Sequence, residues 1–289
     1  TETSDLLQLV FCSTGREDRE IRQEMRLRSF RLFWVMVLAI CSGFDAGCSS
    51  PANKNRLTVY SAASTTLPMA EIGNLFTQKT GIAVENSFAA SSVLRKKIEQ
   101  AAGRAGIDVY LSANLMHMDA LKQSSLVKKD SIKIILRNSL VFVVQEDSGS
   151  APDSIRQALD MDLYPLAMGD PRAKVPCGIY AEEALQHLGV WEELRDKSTR
   201  EISVRAALAR VEQGICPAGI VYASDAVSSR LVKTVFKFPE ESHSPIMFPV
   251  AAVTGSDNAQ ETVTYLDFLS SKEAGAIFNK YGFIQMEGK

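Results

Sequence analysis

"VYSAASTTLPMAEIGNLF", residues 59–76, decides the fold. An apolar run gives way to Ser61, Ala62, Ala63, Ser64, Thr65 and Thr66, and apolar residues then recur with helical spacing. A strand that feeds a helix reads this way. Small side chains at such a junction let a ligand approach the backbone. Residues 56–62 therefore read as a buried strand, and residues 69–81 as a helix closed by Gly81.

The alternation continues outward from this point. Residues 82–90 are strand-like, 91–106 form a helix with a hydroxyl start and a glycine-rich stop, 107–113 form a third strand and 114–127 a further helix. A second series begins with a strand at 138–145. It continues through a short helix at 154–160, a strand running into a turn at 164–171, and helices at 178–189 and 203–214 ended by Gly189 and Gly214. Residues 218–226 read as strand, turn and helix start, 247–255 as a returning strand, and 259–283 as a long helical stretch. Strands alternating with helices imply an α/β protein with parallel sheets. Two series imply two lobes, each a mostly parallel sheet flanked by helices, with a ligand cleft between them. Lobe I is expected to hold residues 56–138 and 241–289, and lobe II residues 139–240, with chain crossings near 136–142 and 235–248.

The 289 residues can bury one large core or two medium ones. A net charge of −2 gives no basic face for nucleic acid, so no nucleic-acid partner is expected. It also means that any bound anion is not held by a general positive field. Met25 opens a basic stretch carrying Arg26, Arg28 and Arg31, followed by a short apolar run at 32–41 and by "AGC" at 46–48. This is the pattern of a secretory signal peptide over 25–47, and the apolar run is too short to span a membrane. Residues 1–24 are polar and aperiodic, and read as an extension upstream of the true start at Met25. "AGCSS" resembles the lipobox of bacterial lipoproteins, with Cys48 as the lipidated residue, although Asp45 stands where an aliphatic residue is usual. Residues 48–55 are then a polar tether. In an exported protein the remaining Cys177 and Cys216 either pair or stand as two separate buried thiols.

Four helix starts carry the functional signal: Ser64, Ser91, the segment Pro176-Cys177-Gly178, and Ser203 before Val204. Helix N-termini expose unpaired N–H donors and the positive end of the macrodipole, which suits an anion. In open α/β sheets ligands bind at these strand ends. Any one of the serines alone is equally an ordinary N-cap.

"VYSAAS", "SFAASS", "GDPRAKVPCGIYAEEAL", "GIVYASDAV" and "FPEESH" followed by "FPVAAV" together resemble the molybdate-binding proteins of bacterial ABC importers, over nearly all of residues 56–284. The resemblance implies a two-lobed periplasmic-binding fold that closes on molybdate or tungstate and delivers it to a membrane permease. Mapped motif by motif, the implied contacts are the hydroxyls and amides of Ser64 and Ser91, the amides of Cys177 and Val204, and the Tyr222 hydroxyl. Molybdenum enters only as the bound oxyanion; no cofactor, no other metal and no enzymatic activity are implied, and a monomer is expected. Cys177 and Asn114 depart from the family's usual Ala and Asp; Asn114 is not a ligand position.

Residue chemistry is consistent with this. Molybdate is a dianion that only accepts hydrogen bonds, and Ser, Tyr and backbone N–H groups donate. Hydrogen phosphate would call for a carboxylate acceptor. Asp170 reads instead as a turn residue, Asp225 as a helix cap and Asp108 as a strand-edge residue, while Arg95 and Arg205 read as solvated. Sulfate, another acceptor-only dianion, is the alternative ligand, and an envelope sensor without a transporter is the alternative role. A serine hydrolase would need a base, but His117, His187 and His243 lie outside any catalytic motif and no G-x-S-x-G is present.

Overall fold

The computed structural model describes residues 55–101, 106–149 and 152–286. The leader, Cys48 and nearly all of the tether lie outside them. The first sheet has six strands: β1 (Arg56–Ala62), β2 (Ala83–Ala89), β3 (Val109–Leu111), β4 (Lys133–Arg137), β9 (Met247–Ala252) and β10 (Ile284–Gln285), in the order β10-β4-β9-β3-β1-β2. The second has four: β5 (Leu140–Gln145), β6 (Leu166–Ala167), β7 (Ala218–Tyr222) and β8 (Val232–Lys237), in the order β6-β7-β5-β8.

The opening stretch forms β1, a 3-10 turn over Ala63–Thr65, and α1 (Thr66–Thr80). Met69, Ile72, Gly73 and Phe76 recur at helical spacing and are buried. Gly81 ends the helix at φ 73°, where a side chain would be strained, and its N–H donates to the Thr77 carbonyl. The helices α2 (Ser91–Ala101) and α3 (Leu115–Gln123) follow in the first series. The second series carries α4 (Ile155–Asp160), α5 (Pro176–His187), α6 (Trp191–Leu194), α7 (Val204–Glu212) and α8 (Ala223–Val227). The C-terminal stretch is two helices, α9 (Ala259–Leu269) and α10 (Lys272–Lys280). Ser271 separates them by capping α10, its Oγ accepting from the Ala274 N–H.

The α/β fold is as expected, but the sheets are mixed rather than mostly parallel. In the first sheet β1 pairs parallel with β2 and β3, whereas β9 pairs antiparallel with β3 and β4, and β10 with β4. In the second only β6 and β7 are parallel. The cause is the double crossing of the chain. It leaves the first sheet through β4 and enters the second at β5, then leaves through β8 and returns at β9. The outgoing and returning strands lie side by side in each sheet, so Arg137 faces Met247 and Val141 faces Lys237 in antiparallel register. Only the βαβ units away from the crossings keep parallel pairing.

One apolar cluster reaches from Leu57, Ile72 and Phe76 in the first lobe to Phe142, Leu185 and Leu208 in the second. A smaller one, with Leu94, Tyr110 and Leu121, lies under α2 and α3. Among the described residues no helix is long and apolar enough to cross a membrane.

Candidate functional site

The threonines beside Ser64 explain why hydroxyls crowd the first junction. Thr65 Oγ1 donates to the Ala62 carbonyl and Thr66 Oγ1 to the Ala63 carbonyl, both at 2.7 Å. These bonds fix the tight turn. Ser64 is left between them, buried, with an Oγ that has no hydrogen-bond partner within the protein. At the second junction Ser91 opens α2. Its Oγ accepts from the Ala113 N–H at 2.9 Å, and its carbonyl accepts from Tyr110 Oη at 3.0 Å. With Oγ already accepting a backbone bond, the hydroxyl proton remains to be donated.

The second lobe presents three junctions. Pro176 and Cys177 start α5, whose first N–H groups have no helical acceptor. Gly178 seats this helix start: a Cβ there would lie 2.2 Å from the Gly169 carbonyl oxygen, so only glycine allows the approach. Cys177 Sγ lies 3.7 Å from the Ile220 carbonyl, and burial raises its pKa well above the usual thiol value, so the thiol is neutral. Ser203 caps α7 by accepting from the Ala206 N–H at 3.2 Å, which leaves the first-turn amide of Val204 free of any helical acceptor. Tyr222 ends β7 with its hydroxyl buried and without a partner. Burial raises its pKa well above 10, so the hydroxyl stays a donor.

All five positions, Ser64, Ser91, Cys177, Val204 and Tyr222, line a single small cavity between the lobes. The rest of its wall is small or apolar, and no carboxylate or cationic side chain lines it. It is a neutral shell of hydroxyl and amide dipoles, able to surround a small group that only accepts hydrogen bonds.

A sequence profile of the family described as bacterial extracellular solute-binding protein matches residues 57–284. The chain belongs to this bacterial extracellular solute-binding family. Within it, the molybdate-binding protein ModA of Escherichia coli K12 is 40% identical over 255 residues, covering 86% of this chain and 97% of that protein. ModA of Haemophilus influenzae is 38% identical, covering 79% of this chain and 89% of that protein. The solved periplasmic molybdate-binding protein of Azotobacter vinelandii shares the fold, with a TM-score of 0.71 at 17% identity, over 79% of this chain and 98% of that one.

Several neighbours of the site depart from the sequence reading. Arg95 pairs with Glu99, and Arg205 lies 3.4 Å from Asp225, so neither is simply solvated. Asp225 is not a helix cap. It is a fully buried residue in the first turn of α8 with one oxygen lacking a partner, and burial raises its pKa to about 7. Asp108 braces the starts of β1 and β3 by accepting from the Thr58 N–H and from Ser256 Oγ. Asp170 is the expected turn residue, accepting from the Arg172 N–H. Cys177 and Cys216 are both buried and unpaired. Among the described residues no group of three or more His, Cys, Asp or Glu side chains is placed to hold a metal ion. The sequence reading missed Ala113, whose N–H orients Ser91 and which itself lines the cavity. Its signal was the small residue closing the strand in "LSAN".

Proposed function

We propose that this protein binds molybdate or tungstate in the cell envelope and delivers it to the membrane permease of an ABC importer. The observation that carries the reading is a pair of orphan donors. Ser64 Oγ and Tyr222 Oη are both buried, both lack a partner within the protein, and both line the same cavity from opposite lobes. A buried unpaired hydroxyl costs about 1–3 kcal/mol, which a ligand that accepts its bond returns. In this reading the hydroxyls and amides of Ser64 and Ser91 hold the oxyanion from lobe I. The amides of Cys177 and Val204 and the Tyr222 hydroxyl hold it from lobe II. The names of the two ModA relatives support molybdate as the ligand. The protein acts as a binder rather than an enzyme, needs no cofactor, and works as a monomer of two lobes, 56–138 with 241–289 and 139–240.

The cavity chemistry disfavours hydrogen phosphate, whose proton would find no carboxylate acceptor in the wall. Sulfate has the same acceptor-only character as molybdate, and size alone separates them. Calorimetric titration with molybdate, tungstate, sulfate and phosphate tests the reading. One-to-one binding of molybdate and tungstate with little or no phosphate binding is expected. Sulfate bound as tightly as molybdate would move the assignment to a general oxyanion carrier. Export is completed in this reading by cleavage before Cys48 and its lipidation, and mass spectrometry of the protein from its native cell should find a diacylglyceryl-modified N-terminal Cys48.

A further inference from the structure

Beyond the cavity, two of the hydrogen bonds that cross from one lobe to the other converge on the helix start that presents Cys177. Asn114 follows β3 in the first lobe and caps α3, its Oδ1 accepting from the Met116 N–H at 2.7 Å. That bond fixes which way the amide faces, so Nδ2 must donate on the other side. It donates to Tyr180 Oη of α5, in the second lobe, at 2.9 Å. Tyr180 in turn lies 3.5 Å from the Ala113 carbonyl, a long contact to the residue whose N–H orients Ser91.

The second bond lies one helical turn along α3. His117 Nε2 is 2.9 Å from the carbonyl of Lys174, a residue held at φ 56° in the turn before Pro176. Burial lowers the pKa of His117; the bond to the Lys174 carbonyl and the Glu99 charge oppose this, and the Arg95 and Lys174 charges add to it, with a net lowering. The ring is therefore neutral, and against a carbonyl its Nε2 carries the proton. Asn114 and His117 are three residues apart and face the same way. Lys174 and Tyr180 flank Pro176 and Cys177. The start of α5 is thus braced to the start of α3 on both sides of the amide that lines the cavity.

We propose that Asn114–Tyr180 and His117–Lys174 form a latch across the cleft, made when the lobes close and broken when they part, which sets how fast the bound oxyanion leaves. None of these four residues lines the cavity. They are positioning residues, and the inference rests on the oxyanion-binding reading above. Bonds present only in the closed arrangement stabilise it against opening. Their loss should appear in the release rate, while association, which starts from the open arrangement, changes little.

The test uses Tyr180→Phe, which removes only the hydroxyl, and Asn114→Ser, which keeps an α3 cap but is too short to reach Tyr180. Release is followed by stopped-flow after mixing the loaded protein with excess tungstate, with either molybdate or sulfate as the bound probe. Tyr180→Phe should speed release about two- to tenfold, the worth of one neutral hydrogen bond, with association changed less than twofold. Asn114→Ser should speed it by a similar factor, because it removes the other end of the same bond. A structural role alone would lower the thermal midpoint of the unliganded protein and leave release unchanged. Wild-type release rates in both variants would overturn the latch. Wild-type protein that binds sulfate but not molybdate would refute the molybdate reading, and the sulfate rates would still decide the latch. Binding of neither anion would overturn both.

Discussion

Tyr222→Phe should move stability and affinity in opposite directions. The ring of Tyr222 packs edge-on against Tyr180, with centroids 6.4 Å apart, and against Phe248 at 5.9 Å, and phenylalanine keeps both contacts. Only the hydroxyl is lost, and in the unliganded protein that hydroxyl is buried without a partner. Deleting an unsatisfied polar group removes a penalty, so the unliganded variant should be as stable as the wild type or up to about 1 kcal/mol more so. For a folded region of this size that is about 2–4 °C in thermal midpoint. With molybdate the sign reverses. A hydrogen bond to a charged acceptor is worth about 1.5–3 kcal/mol, so Kd should rise roughly ten- to a hundredfold. At a ligand concentration a hundred times the wild-type Kd, binding stabilises the wild type by about 2.7 kcal/mol. With Kd raised about thirtyfold, the same concentration gives RT ln(1 + ~3.3), or about 0.9 kcal/mol. Thermal melts with and without molybdate, together with titration calorimetry, read all of these quantities. A lower midpoint for the unliganded variant combined with unchanged affinity would refute the reasoning and make Tyr222 a structural aromatic.

The two serines should separate for a related reason. Ser64→Ala deletes a partnerless hydroxyl and should weaken molybdate binding roughly ten- to a hundredfold with little cost to the unliganded fold. Ser91→Ala should weaken binding alike but also cost about 1–3 kcal/mol in urea unfolding, because the Ala113 N–H loses its acceptor. Equal unfolding midpoints for the two variants would contradict this. Asp225 supplies a pH dependence. Burial raises its folded-state pKa from 3.8 to about 7, so the folded chain binds the proton more tightly than the unfolded chain. Its contribution to stability is therefore greatest at acid pH and declines as pH rises from about 4 to about 7. Asp225→Asn should raise the midpoint at pH 8 and give no gain at pH 4, and a variant less stable than the wild type at pH 8 would show that the Arg205 contact outweighs burial.

What could be read from the sequence divides along a physical line. The βαβ units and four of the site's junctions were legible because each is local. Periodicity marks the strand and the helix, and a cap or a glycine marks the boundary, as Gly81 and Ser203 do. Mixed pairing was not legible, because direction in a sheet depends on where the chain crosses between lobes, and 136–142 looks like ordinary strand sequence on either side of the crossing. β4, the short β10 and the edge strand β8 were missed for the same reason, since their pairing comes from remote partners rather than from their own pattern. Asp225 carried the signature of a cap, and only burial by neighbouring elements turned it into a carboxylate that titrates near neutrality. Asn114 is the sharpest case. Judged by whether it could touch an anion, it had nothing to contribute. The structure gives its amide a fixed orientation through one local bond and directs the other end across the cleft to Tyr180. Motifs identify residues by what they hold when the ligand is present. Residues that hold the lobes to each other leave no such mark, because their partners lie in another segment of the chain and meet them only when the cleft is closed.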